Sequence, residues 1–237
     1  MTTHHHDHGA SREVYDGLAG RALPPHTVRG IRYRNLVVAG RIPSDPSRVL
    51  EIGPGEGWLS SLLTRRGHRV IALDIARSWV ARIPPDQVAG RVAGMMTDLP
   101  FAERTFDVVV AAEVVEHIPD LPGALAEAAR VLAPGGHLVV TVPYRETLTY
   151  VACPECGERY EQNGHCHTFD IPKLEGALRA AGLEPRTRFV GPTRFSREIL
   201  RRAPIAPLLP FLMALDRMSY RSQRVTDTWM LMTGRRW

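Results

Sequence analysis

The chain reads as a single α/β domain with a doubly wound, mainly parallel sheet. Three observations predict it. Short apolar runs alternate with stretches of helical spacing from Arg48 onward. Some of these runs, such as residues 106–111, are apolar at nearly every position, as strands buried on both faces are. A glycine-rich turn sits where the first run gives way to a helix, at Gly53, Gly55 and Gly57. Such alternation implies parallel strands joined by right-handed crossovers. At 237 residues the chain can bury one substantial core and is short for two independent ones.

Residues 12–44 are expected to hold one or two helices. Val28, Ile31, Leu36 and Val37 give a partly helical apolar spacing there, until Pro43 to Pro46 breaks the chain. A strand follows over 48–52, then a helix over 58–66 ended by Gly67, then a second strand over 68–73. Between 77 and 97 a weaker helix and strand are interrupted by Pro84-Pro85. Residues 106–111 form a strand, 121–132 a helix, Pro134-Gly135-Gly136 a turn, and 137–142 another buried strand. Ile171, Leu174, Leu178 and Ala181 share one face of a helix over 170–181, which Gly182 stops. The last strands are expected at 183–190 and 228–233. Two stretches fall outside the alternation: a Cys/His insertion at 150–168 and an apolar, proline-broken segment at 192–223. The second, with Leu208, Leu209, Phe211 and Leu212, suits helices that cover a substrate site or make a homodimer contact; a membrane-surface helix is the runner-up use.

Composition narrows the function classes. With 44% hydrophobic and 23% charged residues the chain is ordinary for a globular protein. No apolar run approaches the ~20 residues of a membrane span, and no apolar segment opens the chain, so a cytoplasmic location is expected. The net charge of +5 is carried by scattered arginine pairs rather than by a concentrated block, which argues against nucleic acid as the partner. The histidines at 4, 5, 6 and 8 lie at an unanchored terminus and receive no role.

In an open parallel sheet, ligands bind beyond the carboxyl ends of the strands, where glycines let the backbone approach closely. Two cofactor classes compete for this loop. A dinucleotide fingerprint wants a third glycine where this chain has Trp58, and Glu51 and Glu56 would set negative charge beside a pyrophosphate. The loop suits a ligand that has no phosphate but carries a cationic sulfonium and an ammonium, as S-adenosylmethionine does. Further acids follow at successive strand ends. Asp74 is placed to accept both ribose hydroxyls, Asp98 to accept the adenine amino group beside an apolar wall of Leu99 and Phe101, and Glu113 ends the strand at 106–111.

The segments "VLEIGPGEG", "VIALDIA", "DLPFAERTFDVVVAAEVVEHI" and "VLAPGGHLVVTVP" resemble the successive motifs of class I S-adenosylmethionine-dependent methyltransferases, nearest the UbiG-like, small-molecule branch. The resemblance implies a Rossmann-like seven-stranded sheet with an antiparallel last strand. It implies that Glu51, Gly53, Pro54 and Gly55 line the methionine and ribose portion, Asp74 and Ile75 the ribose, Asp98 and Leu99 the adenine, and Glu113 the methionine end. Arg29 or Arg34 would pair with the methionine carboxylate, which an arginine fork suits; Arg34 is the nominated residue. The UbiG-like branch also admits a divalent cation on Glu116 and His117, although two ligands are too few to make a site.

All three cysteines lie in the insertion. Cys153-Pro-Glu-Cys156-Gly has the shape of a zinc knuckle, with His165, Cys166 and His167 downstream, and four Cys/His ligands of this kind form closed structural sites. In an extended strand His165 and His167 face one side. Cys153, Cys156, His165 and His167 are therefore the expected zinc ligands, with Cys166 able to replace either histidine. A disulfide is the weaker reading for a cytoplasmic chain.

Methyl transfer requires nucleophile, methyl carbon and sulfur in line, exclusion of water and, for some acceptors, removal of a proton. His117, one helical turn after Glu113, is the candidate base, with Glu116 and Tyr144 as alternates. The expected activity is O- or N-methylation of a small molecule, such as one of secondary metabolism. The alternatives are an RNA or protein methyltransferase, a non-catalytic cofactor-binding scaffold and, at the level of fold, an NAD(P)-linked oxidoreductase.

Overall fold

The structure is a computed structural model and describes residues 15–16, 20, 22–152, 157, 159–192, 196, 198–199, 211–212, 214 and 228–237. Helix α1 (Pro25–Ala39) begins with proline at its first position, where a missing N–H costs nothing. The alternation then runs β1 (Arg48–Ile52), α2 (Trp58–Arg65), β2 (Arg69–Asp74), α3 (Arg77–Arg82), β3 (Gly90–Ala93), β4 (Phe106–Ala112), α4 (Leu121–Val131) and β5 (Leu132–Tyr144). After a two-stranded hairpin, β6 (Tyr150–Ala152) and β7 (Arg159–Glu161), come α5 (Ile171–Ala180), β8 (Leu183–Gly191) and β9 (Thr228–Arg236). Asp120 and Asp170 cap α4 and α5 by accepting from the N–H groups of Gly123 and Lys173.

Seven strands form one sheet in the order β3-β2-β1-β4-β5-β9-β8. Neighbours from β3 to β5 are parallel, whereas β9 runs antiparallel to both β5 and β8. The chain winds outward from β1 on one side and from β4 on the other, so the crevice at the switch point lies between the carboxyl ends of β1 and β4. The core sits in two layers, one on each face. Leu50, Val109, Leu138 and Val140 meet Leu125 and Ala128 of α4 and Leu174 and Leu178 of α5. Val49, Val70, Val108 and Val139 meet Tyr33 and Val37 of α1 and Leu59 and Leu63 of α2. Every second strand residue therefore serves each face, which is why the central strands read as unbroken apolar runs.

Two expectations change. The turn predicted at Pro134-Gly135-Gly136 is an irregularity inside β5: Leu132 pairs with Phe106 and His137 with Val108, and the residues between them bulge out. The insertion is not an extended strand through its histidines. Residues 164–168 are irregular, so the alternation argument that grouped His165 with His167 does not apply there. Of the expected cap at 192–223 only a few residues are described, among them Leu212, buried in the layer under α1 and α2. Among the described residues no helix is long and apolar enough to cross a membrane.

Candidate functional site

The carboxyl ends of β1 to β4 open into a cavity of about 320 Å³, at the lower end of the usual range for small-molecule sites. Four strand ends line it in turn: Ile52, Gly53 and Gly55 after β1; Leu73, Asp74 and Ile75 after β2; Gly94 to Thr97 after β3; Glu113 and Val114 after β4. Tyr15, Trp79, His117, Ile118 and Pro119 complete the wall. Two of the glycines earn their place in different ways. A Cβ on Gly53 would stand 2.5 Å from a methyl of Val114, so the loop closes against β4 only without one. A Cβ on Gly55 would meet nothing within 4 Å, so that backbone faces open space a ligand can fill; both residues have positive φ.

The charge of the wall decides which ligand fits. Asp74 and Glu113 line the cavity, and among the described lining residues there is no lysine or arginine. A pyrophosphate would have no counter-charge here, whereas a ligand with cationic sulfonium and ammonium groups, a ribose and an apolar base fits both the acids and the apolar surfaces of Leu73, Met95, Met96 and Val114. Burial pushes Asp74 up to about 6, the Ala76 N–H that it accepts at 2.9 Å opposing and Asp16 adding to the rise. Glu113 is held at a positive φ of 58°, a rare conformation for a residue with a Cβ. Its Oε1 accepts from the Thr141 hydroxyl at 2.9 Å, and its Oε2 lies 3.4 Å from the Arg34 guanidinium.

Of the residues predicted to hold the cofactor, Gly53, Gly55, Asp74, Ile75 and Glu113 come together on this wall. The others sit outside it. Arg34 meets the site through its pairing with Glu113. Glu51 points to the opposite face of β1, buried under α2, where the Ser60 hydroxyl donates to it; burial pushes its carboxyl up to about 7 despite that bond. Pro54 is buried in the turn, accepting from the Gly57 N–H at 2.9 Å. Leu99 belongs to the core, its N–H donating to Glu127, and Asp98 is exposed, leaving Met95, Met96 and Thr97 to face the cavity. Tyr15 and Trp79 were not foreseen. The Trp79 indole N–H donates to the Tyr15 carbonyl at 2.9 Å, which ties a residue without local motif to the wall.

His117, also on the lining, stands on a single helical turn at residues 115–117. Its Nδ1 lies 3.2 Å from the Gly164 carbonyl. A carbonyl only accepts, so Nδ1 carries the hydrogen and Nε2 keeps its lone pair. Burial, with His165 beside it, pulls the ring down to about 4, so it is neutral at physiological pH. The His165 ring packs edge-on at 4.6 Å, and the Tyr15 ring at 5.9 Å. His165 Nδ1 is 2.5 Å from Glu146. Glu116 is 1% exposed with neither carboxylate oxygen hydrogen-bonded, and burial, then repulsion from Glu113, holds its carboxyl well above the usual range.

The other ligands expected for zinc are placed as follows. His167 Nε2 lies 2.9 Å from the Ile118 carbonyl, and Cys166 contacts the His117 carbonyl through its thiol. Cys153 and Cys156 lie outside the described residues. Tyr144, an alternate base, ends β5 away from the cavity lining.

A seven-stranded sheet of this order, with an acid-lined and phosphate-averse cavity at its switch point, defines an S-adenosylmethionine-dependent methyltransferase. The chain belongs to the methyltransferase domain family, whose model matches residues 28–187. It is 33% identical over 139 residues to a ubiquinone biosynthesis O-methyltransferase of Xylella fastidiosa, covering 56% of this chain and 55% of that one. To the protein of the same name in Xanthomonas axonopodis pv. citri it is 31% identical over 177 residues, covering 70% and 73%. The match spans between 28% and 64% of the length of most of the curated relatives. Among solved structures it is similar to a Burkholderia thailandensis 1,6-didemethyltoxoflavin N1-methyltransferase with bound 1,6-didemethyltoxoflavin and S-adenosylhomocysteine. The TM-score is 0.58 at 21% identity, with 86% of this chain and 77% of that one covered.

Proposed function

We propose that this enzyme methylates an oxygen or nitrogen of a small molecule, with the acceptor meeting the methyl group at the His117 wall. The carrying observation is that a neutral histidine whose Nε2 keeps its lone pair lines the cavity together with Tyr15, Ile118 and Pro119, with no lysine or arginine among the described lining residues. When bound, S-adenosylmethionine supplies an electrophilic methyl on sulfur, which leaves as the thioether once the acceptor's lone pair displaces it. The protein's part is placement and proton handling. Asp74 and Glu113 fix the two polar ends of the site, the apolar wall excludes water, and His117 Nε2 is the candidate base for the acceptor's proton. The ubiquinone-biosynthesis and toxoflavin relatives, named for small acceptors, support the same substrate class. Tailoring of a secondary metabolite fits this reading.

A zinc ion in the insertion belongs to the proposal as well, supported by the Cys153-Pro-Glu-Cys156-Gly spacing.

The test is incubation of the full chain with S-adenosylmethionine and a panel of phenols, catechols, alcohols and amines. Product is read by mass spectrometry together with S-adenosylhomocysteine release, and a methylated hydroxyl or amine is expected. Cofactor binding without product from any panel member would favour the scaffold reading. Turnover confined to RNA or protein, with affinity falling steeply as salt rises, would favour the macromolecular one.

A further inference from the structure

Glu161 is buried where its neighbours are not. It ends β7 in a two-stranded ribbon whose tyrosines, Tyr150 and Tyr160, are exposed, yet it is itself only 7% exposed. A carboxylate is buried in this way only when donors answer it. Here backbone amides do so. Oε1 accepts from the Thr149 N–H at 3.2 Å, and Oε2 from the Asn163 N–H at 2.7 Å and the His165 N–H at 2.8 Å. Between the last two, the Gly164 N–H donates to the Glu161 carbonyl at 3.1 Å. The consecutive amides of residues 163 to 165 thus converge on this one residue.

The middle residue of that run is the one that meets the candidate base. The Gly164 carbonyl accepts from His117 Nδ1 at 3.2 Å, so whatever fixes this peptide also fixes which ring nitrogen carries the hydrogen. Only the tautomer with its hydrogen on Nδ1 leaves Nε2 a lone pair for an acceptor's proton. The other side of the loop is tied to the turn that carries His117, the N–H groups of Cys166 and His167 donating to the Glu116 carbonyl at 2.7 and 3.3 Å. A carboxylate binds N–H groups more strongly than a neutral acceptor does, which makes Glu161 the firm anchor of the pair.

We propose that Glu161 is a positioning residue for the methyl transfer, holding the Gly164 carbonyl on His117 Nδ1 so that Nε2 keeps its lone pair for the acceptor. The proposal rests on the reading of His117 as the base. Glu161 is not among the described lining residues of the cavity, so it acts through the loop. At one remove it does for His117 what the buried carboxylate of a hydrolase triad does for its histidine, selecting tautomer and orientation without taking the proton. The insertion then serves the reaction as well as any zinc ion, because its hairpin carries the acid that sets the base.

The test reads the ring itself, by nitrogen NMR of the full chain labelled at its histidines. The His117 signals are those lost in His117→Ala, and at neutral pH the parent should show a protonated Nδ1 and an unprotonated Nε2. Glu161→Ala should shift the ring toward the other tautomer. Glu161→Gln, whose one carbonyl oxygen can still take the Asn163 and His165 N–H groups, should keep the parent's pattern. With the acceptor that the panel yields, Glu161→Ala should lower kcat by roughly 10–10²-fold, the cost of a group displaced by about an ångström. KM should change little, and Glu161→Gln should recover most of the loss. In the His117→Ala background the same change should cost less than about twofold, since two changes that act through one group are not additive. S-Adenosylhomocysteine affinity, measured on each variant by calorimetry, should match the parent's and shows that the variants are folded. The proposal fails if Glu161→Ala keeps the parent's tautomer, loses as much activity in both backgrounds, or loses S-adenosylhomocysteine binding as well, because the acid then only braces the fold. A His117→Ala enzyme that turns over like the parent would sink the base reading and this one with it; an impaired His117→Ala enzyme beside an unchanged tautomer in Glu161→Ala sinks the role of Glu161 alone.

Discussion

At the glycine-loop end of the cavity the acids have partners within the protein. Asp74 accepts from the Ala76 N–H, and Glu113 is shared between the Thr141 hydroxyl and the Arg34 guanidinium. At the His117 end, Glu116 has no hydrogen bond and two histidines face it with their Nδ1 atoms already used. The first end is a finished receptor, its backbone and acids settled before any ligand arrives. The second keeps a buried carboxyl with no hydrogen bond to its oxygens. A region whose groups satisfy one another reports mainly on binding, and one that leaves a buried valence open reports on chemistry, because that is where a fold departs from local rules.

The sharpest way to break this contrast is to cut each end separately. His117→Ala should lower kcat by roughly 10²–10⁴-fold, the usual range for a lost proton-handling group. Its affinity for S-adenosylhomocysteine, measured by calorimetry, should stay within about twofold of the parent, since Asp74 and Glu113, proposed to fix the cofactor's polar ends, are untouched. A comparable loss of cofactor affinity would show that the two ends are one site.

The contrast also governs what the sequence could disclose. The first strand is found at Arg48–Ile52, where the apolar run put it, and the antiparallel last strand is present as β9. Gly53, Gly55, Asp74 and Glu113 were legible because each occupies a fixed offset from a strand end, and the strands announce themselves. Glu51 sits at such an offset too, yet it faces away. A strand buried on both faces shows no polar alternation, so nothing in the sequence tells which side a lone acid takes. Asp98 lies in a loop past the short strand β3, where offset carries no orientation. The nearness of Glu116 to His165 was hidden for a different reason. It joins segments far apart in sequence through a loop without regular structure, and the alternation rule used for His165 and His167 holds only in strands. Tyr15 had no local signal at all; only Trp79, more than sixty residues away, holds its carbonyl.

Glu51 offers the next largest effect, and it separates support of the fold from contact with the cofactor. Its carboxyl rises from 4.5 to about 7 through burial, so between those values the folded chain binds more protons than the unfolded one. Stability therefore falls as pH rises through this window. A rise of that size corresponds to about 3 kcal/mol as a ceiling. Glu51→Gln keeps an acceptor for the Ser60 hydroxyl and removes the charge. Chemical denaturation should find the variant more stable than the parent at pH 8, by up to about 3 kcal/mol, with the gap closing towards pH 4.5, while cofactor affinity is unchanged. A variant that loses affinity and gains no stability would place Glu51 in the binding site after all.

Asp74 carries the smallest effect and tests the finished end directly. As a wall residue proposed to accept both ribose hydroxyls, it has the acceptor capacity for the pair, with charge assistance, when ionised, and burial has raised its carboxyl to about 6. A ligand that binds the carboxylate must displace the proton below that pH, so affinity should fall by up to about tenfold for each unit beneath 6, where one unit corresponds to 1.36 kcal/mol. Above pH 7 the curve should be flat. Asp74→Asn cannot ionise. It should bind S-adenosylhomocysteine about 10–100-fold more weakly at neutral pH, the cost of one or more charged hydrogen bonds, and show no inflection near 6. If the parent's affinity is level from pH 5 to 8, the ribose is held elsewhere on the wall, and the glycine-loop end is less complete than its internal hydrogen bonds suggest.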